Sequence, residues 1–389
     1  MLIKKTYKFR LKTNCKQADK LTCFVGCCRF IWNKALTVQN TRLKQDHSIL
    51  SGYELCNELP EWKKEFLFLK DPPAQALQQV LKNLEQAFKN YFKGGFGSPK
   101  LKKKERKNSI KFPQGFKLND NKVYLPKLGW LRFYKNREIE GKVKNIIVSR
   151  RVDKWNISIQ TEIEVEEIIH PSKLKIGVDL GVSKFAALSN GTNIKMHDVY
   201  KEHEKKLIKE QRKLSKKVKF SNNWRKQKTK VQKIHVKIAD IRRDFLHKTT
   251  TKLSKNHAVI VIEDLKVQDM INLSKIFNKS VINQGWYEFR KQLEYKQLWA
   301  GGKLIIVNPA YTSQTCSNCR YVDSENRKTQ SQFKCLNCEH EENADFNAAK
   351  NILAAGQAVL ACGGKPLGVS MKQESLIKEC QEITIKEIS

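Results

Sequence analysis

Two pairs of closely spaced cysteines constrain the fold of this chain more than any other feature. Both pairs have the spacing Cys-x-x-Cys, and fifteen residues separate them. The four cysteines are Cys316, Cys319, Cys335 and Cys338. Two such turns supply the four thiolates of a tetrahedral Zn²⁺ site, and four thiolates leave no coordination position open for catalysis. The sequence therefore predicts a zinc ribbon that holds one structural Zn²⁺ ion.

The charge balance predicts a polyanionic partner. The chain has 75 Lys and Arg against 39 Asp and Glu, a formal net charge of +36. Such an excess destabilises a compact protein by self-repulsion unless a polyanion neutralises it. The sequence has no apolar run long enough to span a bilayer, no amphipathic anchor and no secretory signal. We therefore expect nucleic acid as the partner, no membrane association and a cytoplasmic location.

The first 171 residues combine strands with an inserted group of helices. A pattern with a period of two covers residues 110–163 and predicts an antiparallel sheet or a small β-barrel. The alternating segment around Tyr7 is a further strand that could join it. Helical spacing fills the sequence between them. We predict a β-barrel made of residues 1–13 and 99–171, with residues 14–98 inserted as a helical lobe.

A basic segment follows the glycines at the end of the helical lobe. Its composition predicts a flexible loop, and the two open interpretations are a solvated charge run or contact with phosphates. The overall charge favours phosphate contact. The candidate nucleic-acid-binding residues are Lys100, Lys102, Lys103, Lys104, Arg106 and Lys107.

After Pro171 the sequence changes to short apolar strands that alternate with helices, which predicts an α/β domain. We expect this domain over residues 172–307, with a long charged helical hairpin inserted in it. The zinc ribbon then occupies residues 308–341, a last helix residues 342–360, and a flexible tail residues 361–389. The fold class is thus α+β multidomain.

Three acidic residues stand at positions where a metal site is expected. Asp179 and Glu263 each end an apolar strand, and Asp345 opens the helix of residues 345–353. Acids at the ends of buried strands are costly unless something pairs with them. An N-cap is the alternative for Asp345. Oxygen ligands without a histidine cluster favour Mg²⁺ or Mn²⁺, and two such ions can hydrolyse a phosphodiester.

Several strings of this sequence together resemble the TnpB family, the RuvC-domain proteins of bacterial insertion sequences, which are related to compact type V CRISPR nucleases. The resemblance covers roughly residues 173–355. Its strings are Ile176-Gly-Val-Asp-Leu-Gly181, Ile260-Val-Ile-Glu-Asp-Leu-Lys266, Trp286-Tyr-Glu-Phe-Arg-Lys-Gln-Leu-Glu-Tyr-Lys296, Tyr311-Thr-Ser-Gln-Thr-Cys-Ser-Asn-Cys319 and Asp345-Phe-Asn-Ala-Ala-Lys-Asn-Ile352. Arg320 departs from the family, which usually has glycine after the second cysteine.

The resemblance implies an RNA-guided DNA endonuclease with an RNase H-like (RuvC) domain. Its partners would be a guide RNA from the transposon end and target double-stranded DNA beside a short flanking motif, with no obligate protein partner. The family's catalytic acids fall on Asp179, Glu263 and Asp345, and its zinc ligands on the four cysteines. The barrel and helices would form a wedge and a recognition lobe.

Three other functions remain open from the sequence. A catalytically silent, RNA-guided repressor would lack catalytic acids, and this chain keeps all three. A strand-transfer transposase also uses acidic triads on RNase H-like folds, but the zinc ribbon inside the domain favours the nuclease. A compact CRISPR effector would differ in its genetic neighbourhood, where a repeat array replaces the transposon end.

Overall fold

The computed structural model describes residues 2–104, 108–166, 168–182, 184–196, 199–265 and 284–362. It divides into two compact units, Met1–Glu166 and Glu167–Ser389, and each is considered by itself. Arg106, Lys107 and the predicted tail from residue 363 onwards lie outside the described residues. Within the described residues, no helix combines the length and the apolar character needed to cross a membrane.

The N-terminal unit contains a seven-stranded antiparallel sheet with the order β2-β6-β7-β1-β5-β4-β3. Its strands are β1 (Leu2–Lys12), β2 (Asn108–Phe112), β3 (Lys117–Asn119), β4 (Lys122–Leu125), β5 (Gly129–Phe133), β6 (Lys142–Arg151) and β7 (Lys154–Glu164). The first strand pairs with β7 from Leu2 opposite Glu164 to Arg10 opposite Asn156, and with β5 at Leu11. The prediction that this strand joins the sheet is confirmed. Closure into a barrel is not among the pairings of the described strands.

Four α-helices lie between β1 and β2 in the chain, as predicted for an inserted lobe. They are α1 (Cys15–Lys44), α2 (Gly52–Asn57), α3 (Leu59–Glu65) and α4 (Ala74–Phe92). Helix α1 begins with a capping box in which Asn14 and Gln17 satisfy each other's backbone N–H groups. The apolar stripe of α4, which includes Leu77 and Leu84, is buried in one core with α1 and the sheet.

The C-terminal unit is built on a five-stranded sheet with the order β10-β9-β8-β11-β12. Its strands are β8 (Lys175–Leu180), β9 (Ala186–Leu188), β10 (Asn193–Ile194), β11 (Val259–Glu263) and β12 (Lys303–Val307). Strands β8, β11 and β12 are parallel, whereas β9 and β10 are antiparallel additions. Parallel strands alternating with helices confirm the predicted α/β pattern.

Helices and a small hairpin complete this unit. They are α5 (Val199–Ser215) and α6 (Asn222–Asn256), which form the predicted helical hairpin, α7 (Trp286–Ala300), the strands β13 (Gln332–Lys334) and β14 (Glu341–Asn343), and α8 (Ala344–Ala361). One face of the sheet, with Val178 and Ile262, packs on α6 and α7. The opposite face, with Val261 and Val307, packs on Ile352 of α8. A parallel sheet covered on both faces explains why its strands are continuous apolar runs.

Candidate carboxylate site and zinc ribbon

Asp179 and Glu263 lie at the same level near the carboxyl ends of neighbouring parallel strands, Asp179 one residue before the end of β8 and Glu263 at the end of β11. Strand β8 pairs with β11 in a register that places Ile262 opposite Val178, and the acids are the next residue on each strand. Because side chains alternate along a strand and Val178 and Ile262 face α6 and α7, the two acids point to the face that α8 covers.

Helix α8 lies directly on that face. A Cβ atom added to Gly177 would lie 2.1 Å from the backbone oxygen of Ala349, so only glycine permits this approach. The first turn of α8 carries Asp345, whose charge acts on Asp179. The N-cap is Asn343, whose side chain accepts a 3.1 Å hydrogen bond from the backbone N–H of Asp345. The alternative role of Asp345 as the cap is therefore wrong, and its carboxylate serves other contacts.

The three carboxylates share an anionic and largely buried environment. Burial, followed by the negative charges of Glu263 and Asp345, raises the pKa of Asp179 to about 7. Burial also raises the pKa of Glu263, against the opposing effect of a hydrogen bond from Thr312. Of the described residues, only the four cysteines bring three or more potential ligand atoms within 4.8 Å of one another. The carboxylates are therefore more widely spaced than the thiolates.

Three residues that the sequence did not single out contact these acids. Lys184 Nζ lies 3.4 Å from Asp345 Oδ2, and Arg327 Nη2 lies 3.8 Å from Asp345 Oδ1. Thr312 donates a 2.5 Å hydrogen bond to Glu263 Oε1. Thr312 stands in one of the strings that resemble TnpB, but no spacing rule marks Lys184 or Arg327. Asp345 thus has two cations beside it, and Glu263 has a hydroxyl donor.

The four cysteines come together as the sequence predicted. The Sγ atoms of Cys316 and Cys338 are 3.7 Å apart, and those of Cys319 and Cys335 are 3.5 Å apart. Tetrahedral thiolates at a Zn–S distance of about 2.3 Å lie roughly 3.8 Å from one another. Phe333 and Ala344 pack beside the thiols. The donor set and its spacing therefore fit a Zn²⁺ ion.

Arg320 does not disturb the first cysteine turn, although the family usually has glycine there. Its φ is +67°, and Glu339, at the same position of the second turn, has a φ of +57°. Both residues thus take the left-handed conformation that glycine adopts most easily. The guanidinium of Arg320 also donates a 3.1 Å hydrogen bond to Asn351 on α8, a contact that glycine cannot make.

Buried asparagines of α8 hold the zinc ribbon to the helix that carries Asp345. Asn347 accepts a 2.8 Å hydrogen bond from the backbone N–H of Ser317 and donates one of 2.8 Å to the carbonyl of Thr315. Asn351 donates a 3.0 Å hydrogen bond to the carbonyl of Thr312. The ribbon and the carboxylates are therefore parts of one hydrogen-bonded assembly.

The basic loop is anchored to α1 at its start. The indole of Trp32 donates a 3.1 Å hydrogen bond to the carbonyl of Lys100, and the backbone of Lys102 exchanges two hydrogen bonds with Asn33. Lys102 Nζ lies 3.5 Å from the centroid of the Trp32 ring. Lys103 and Lys104 are exposed. Phosphate contact by this loop stays a prediction.

Three sequence profiles match this chain. Residues 158–274 match OrfB_IS605, described as "Probable transposase", and residues 286–352 match the "Cas12f1-like, TNB domain". Residues 1–48 match a profile described as "Helix-turn-helix domain". In this structure those residues form strand β1 followed by the single long helix α1.

Related proteins cover nearly the whole chain. "Putative RNA-guided DNA endonuclease InsQ" of Escherichia coli K12 is 47% identical over 384 residues, 93% of this chain and 96% of the relative. "Putative RNA-guided DNA endonuclease" of Streptomyces pristinaespiralis is 31% identical over 96% of this chain and 94% of its own length. "CRISPR-associated endodeoxyribonuclease Cas12f1" of Sulfoacidibacillus thermotolerans is 28% identical over 55% of this chain and 53% of that protein. On this similarity along its full length, the chain belongs to the OrfB_IS605/TnpB family.

Proposed function

We propose that this chain is a transposon-encoded, RNA-guided DNA endonuclease that cuts double-stranded target DNA next to a short flanking motif. The single observation that carries the proposal is the arrangement of Asp179, Glu263 and Asp345. Asp179 and Glu263 lie near the ends of neighbouring parallel strands, and Asp345 lies on the first turn of α8, the helix that covers the same face of the sheet. The names of the two relatives that span the chain and the net charge of +36 support a nuclease that holds nucleic acid.

The C-terminal unit would be the RNase H-like (RuvC) nuclease domain. Its sheet combines two antiparallel additions with three parallel strands, and helices cover both faces, which supports this assignment. In the N-terminal unit, we propose that the antiparallel sheet closes into a wedge barrel. The inserted helices would form the lobe that holds the guide RNA and the DNA flank. Base pairing then supplies the sequence specificity, while the protein binds the heteroduplex by shape and charge.

The carboxylates would hold two Mg²⁺ or Mn²⁺ ions. Burial, and after it the charges of Glu263 and Asp345, raises the pKa of Asp179, and oxygen ligands of this kind suit hard divalent ions. Because two ions would share these ligands, the carboxylates need not converge on one point. When bound, the ions supply an activated water and stabilise the leaving 3′ oxygen of the phosphodiester.

The neighbouring side chains would orient these ligands. The hydrogen bond from Thr312 fixes one oxygen of the Glu263 carboxylate. Because the carboxylate is rigid and planar, this contact also sets the direction of its second oxygen. Lys184 and Arg327 hold the two oxygens of Asp345 and offset its negative charge when no metal is bound. The zinc ribbon would contribute by position alone, because its four thiolates leave no open site on Zn²⁺.

The proposal is tested by purifying the chain expressed with its native flanking locus, sequencing the RNA that co-purifies, and measuring cleavage of a matching target. We expect cleavage that needs both Mg²⁺ and the matching sequence. Asp179→Asn should bind the target without cutting it. Asp264→Asn is the matched control, because Asp264 follows Glu263 directly but is paired with Arg290. Normal cutting by Asp179→Asn, or cutting by the RNA-free protein at physiological salt, would contradict the proposal.

A further inference from the structure

The tip of the α5–α6 hairpin combines exposed apolar side chains with a run of cations that no acid interrupts. The tip comprises residues 216–228, where the side chains of Val218 and Phe220 are 79% and 65% exposed. Residues 211–239 contain eleven Lys and Arg and no Asp or Glu. Large exposed apolar side chains among cations indicate a surface that contacts a partner.

The tip has a defined conformation. Ser221 caps α6 by accepting a 3.1 Å hydrogen bond from the backbone N–H of Trp224, and its own N–H donates to the carbonyl of Val218. Phe220, between them, has a φ of +70°, in the left-handed region. Gln227 binds α6 to α5 through hydrogen bonds of 3.0 and 2.7 Å to Glu210. The backbone of this turn, from which the rings project, is therefore held in place before any partner binds.

Two aromatic rings are exposed to different degrees in this turn, each with a lysine over it. The ring centroids of Phe220 and Trp224 are 5.5 Å apart with the planes tilted by 57°, and Trp224 is half-buried whereas Phe220 is exposed. Lys219 Nζ lies 5.5 Å from the centroid of Phe220, and Lys228 Nζ lies 4.9 Å from that of Trp224. A cation over an exposed ring is held weakly, so a flat nucleobase can displace it.

A cationic stripe along one face of α5 leads to the tip. It comprises Lys205, Ile208, Lys209, Arg212, Lys213 and Lys216. From its first to its last lysine the helix rises about 16 Å, enough for several phosphates of one strand. A cationic track that continues into an aromatic platform is the arrangement by which proteins bind single strands without sequence preference.

We propose that the hairpin binds a single-stranded segment of nucleic acid, with its phosphates along the cationic stripe on α5 and an unpaired base stacked on Phe220. This inference rests on the proposed function only in that the chain holds nucleic acid. An acidic protein would also suit the cations, but its charge does not explain the exposed ring among them. A single strand explains both features, because its phosphates pair with the cations and its base stacks on the ring.

The test measures binding of the full-length chain, freed of co-purified nucleic acid, to a labelled 20-nucleotide single-stranded RNA. Single-stranded DNA and a blunt duplex of the same sequence serve as parallel probes. Phe220→Ala should weaken binding of a single strand about tenfold and leave its salt dependence unchanged. Phe220→Tyr should bind as the wild type does, because it keeps the ring. Lys216→Gln should lower the slope of log K against log salt by about 0.7.

Val218→Ala is the matched control, because it removes apolar surface from the same tip without removing a ring. Weaker binding of Phe220→Ala to either single strand supports the inference. The strand for which the affinity falls more identifies the ligand. The inference is overturned if Phe220→Ala binds single strands as tightly as the wild type does. It is also overturned if the substitution lowers the affinity for the duplex, or for poly-glutamate, as much as it lowers the affinity for a single strand. Guided cleavage by the wild type is measured separately, so failure of the proposed function and failure of this surface are distinguishable.

Discussion

The hydroxyl of Thr312 donates a 2.5 Å hydrogen bond to Glu263 Oε1, across 49 residues of sequence. Thr312 is buried, with 9% of its surface exposed, and its carbonyl accepts a hydrogen bond from Asn351 on α8. The first residues of the zinc ribbon therefore fix a carboxylate at the end of β11. Residues that orient a metal ligand in this way affect both metal affinity and activity.

Replacing Thr312 with valine should impair metal binding without unfolding the chain. Thr312→Val keeps the shape but loses the donor, and we expect cleavage at limiting Mg²⁺ to fall about ten- to hundredfold. Added Mg²⁺ should restore part of the rate. Thr312→Ser keeps the hydroxyl and should stay close to the wild type. The measurement is the cleavage rate over a Mg²⁺ titration, and identical titrations for the valine variant and the wild type would refute the assigned role.

Asp179 makes the stability of the chain depend on pH when no Mg²⁺ or Mn²⁺ is bound. In the unfolded chain this carboxyl ionises near its ordinary pKa of 3.8, whereas in the folded chain its pKa is about 7. At pH values between these two pKa values, the folded state therefore holds a proton on this carboxyl that the unfolded state has lost. The stabilisation due to the protonated carboxyl is fully present below about pH 4 and is lost as the pH rises through about 7.

Asp179→Asn should accordingly stabilise the zinc-loaded chain at pH 8 in buffer without Mg²⁺ or Mn²⁺. The expected gain in the free energy of unfolding is at most about 4 kcal/mol, at about 1.4 kcal/mol per pKa unit. Urea denaturation at pH 5 and pH 8 measures it, and the gain should be smaller at pH 5. Mg²⁺ should then stabilise the wild type more than the variant, because the wild type keeps its ligand. Equal stability of the two proteins at pH 8 in buffer without Mg²⁺ or Mn²⁺ is the contrary result.

The sequence predicted the parts of this site that are local in the chain. Asp179 and Glu263 were found because each follows an apolar run, and the register of β8 and β11 then aligns them. The cysteine spacing predicted the thiolate cluster in the same way. Each strand end and each Cys-x-x-Cys turn is a local signal in the sequence, so no knowledge of the tertiary structure was needed.

The supporting contacts were not predictable, because packing between distant segments creates them. Lys184 and Asp345 are 161 positions apart, and nothing in either segment indicates the other. The N-terminal sheet shows the same limit. Alternation predicted its strands, but alternating residues fit an open sheet and a barrel equally well, and the pairings place β2 and β3 at its edges.

Loss of zinc should abolish cleavage although the ion is predicted to be structural. Cys335→Ser removes one of the four thiols, and the ribbon that carries Arg327 and Thr312 then loses its shape. We expect at least a hundredfold lower cleavage rate and less than one zinc ion per chain by metal analysis. Cys15→Ser is the control, since Cys15 is exposed and lies outside the cluster. Wild-type cleavage by zinc-free protein would show that the ribbon does not support the site.

Gly177→Ala tests whether the close contact between β8 and α8 sets the geometry of the carboxylates. The new Cβ would lie 2.1 Å from the oxygen of Ala349 and 2.9 Å from the Cβ of Leu353, so the helix itself must move. We expect a loss of about 1–3 kcal/mol in stability, as for other overpacked cores.

The shift also moves Asp345 away from Asp179, and a displacement of about 1 Å costs on the order of a hundredfold in rate. Gly26→Ala is the matched control, because its Cβ would meet nothing closer than Arg29 Nη2 at 3.9 Å. In the middle of α1 that change should stabilise the chain by up to about 1 kcal/mol and leave cleavage unchanged. Urea denaturation and single-turnover cleavage separate the two effects. If Gly177→Ala cut at the wild-type rate, the approach of α8 to β8 would not position the acids.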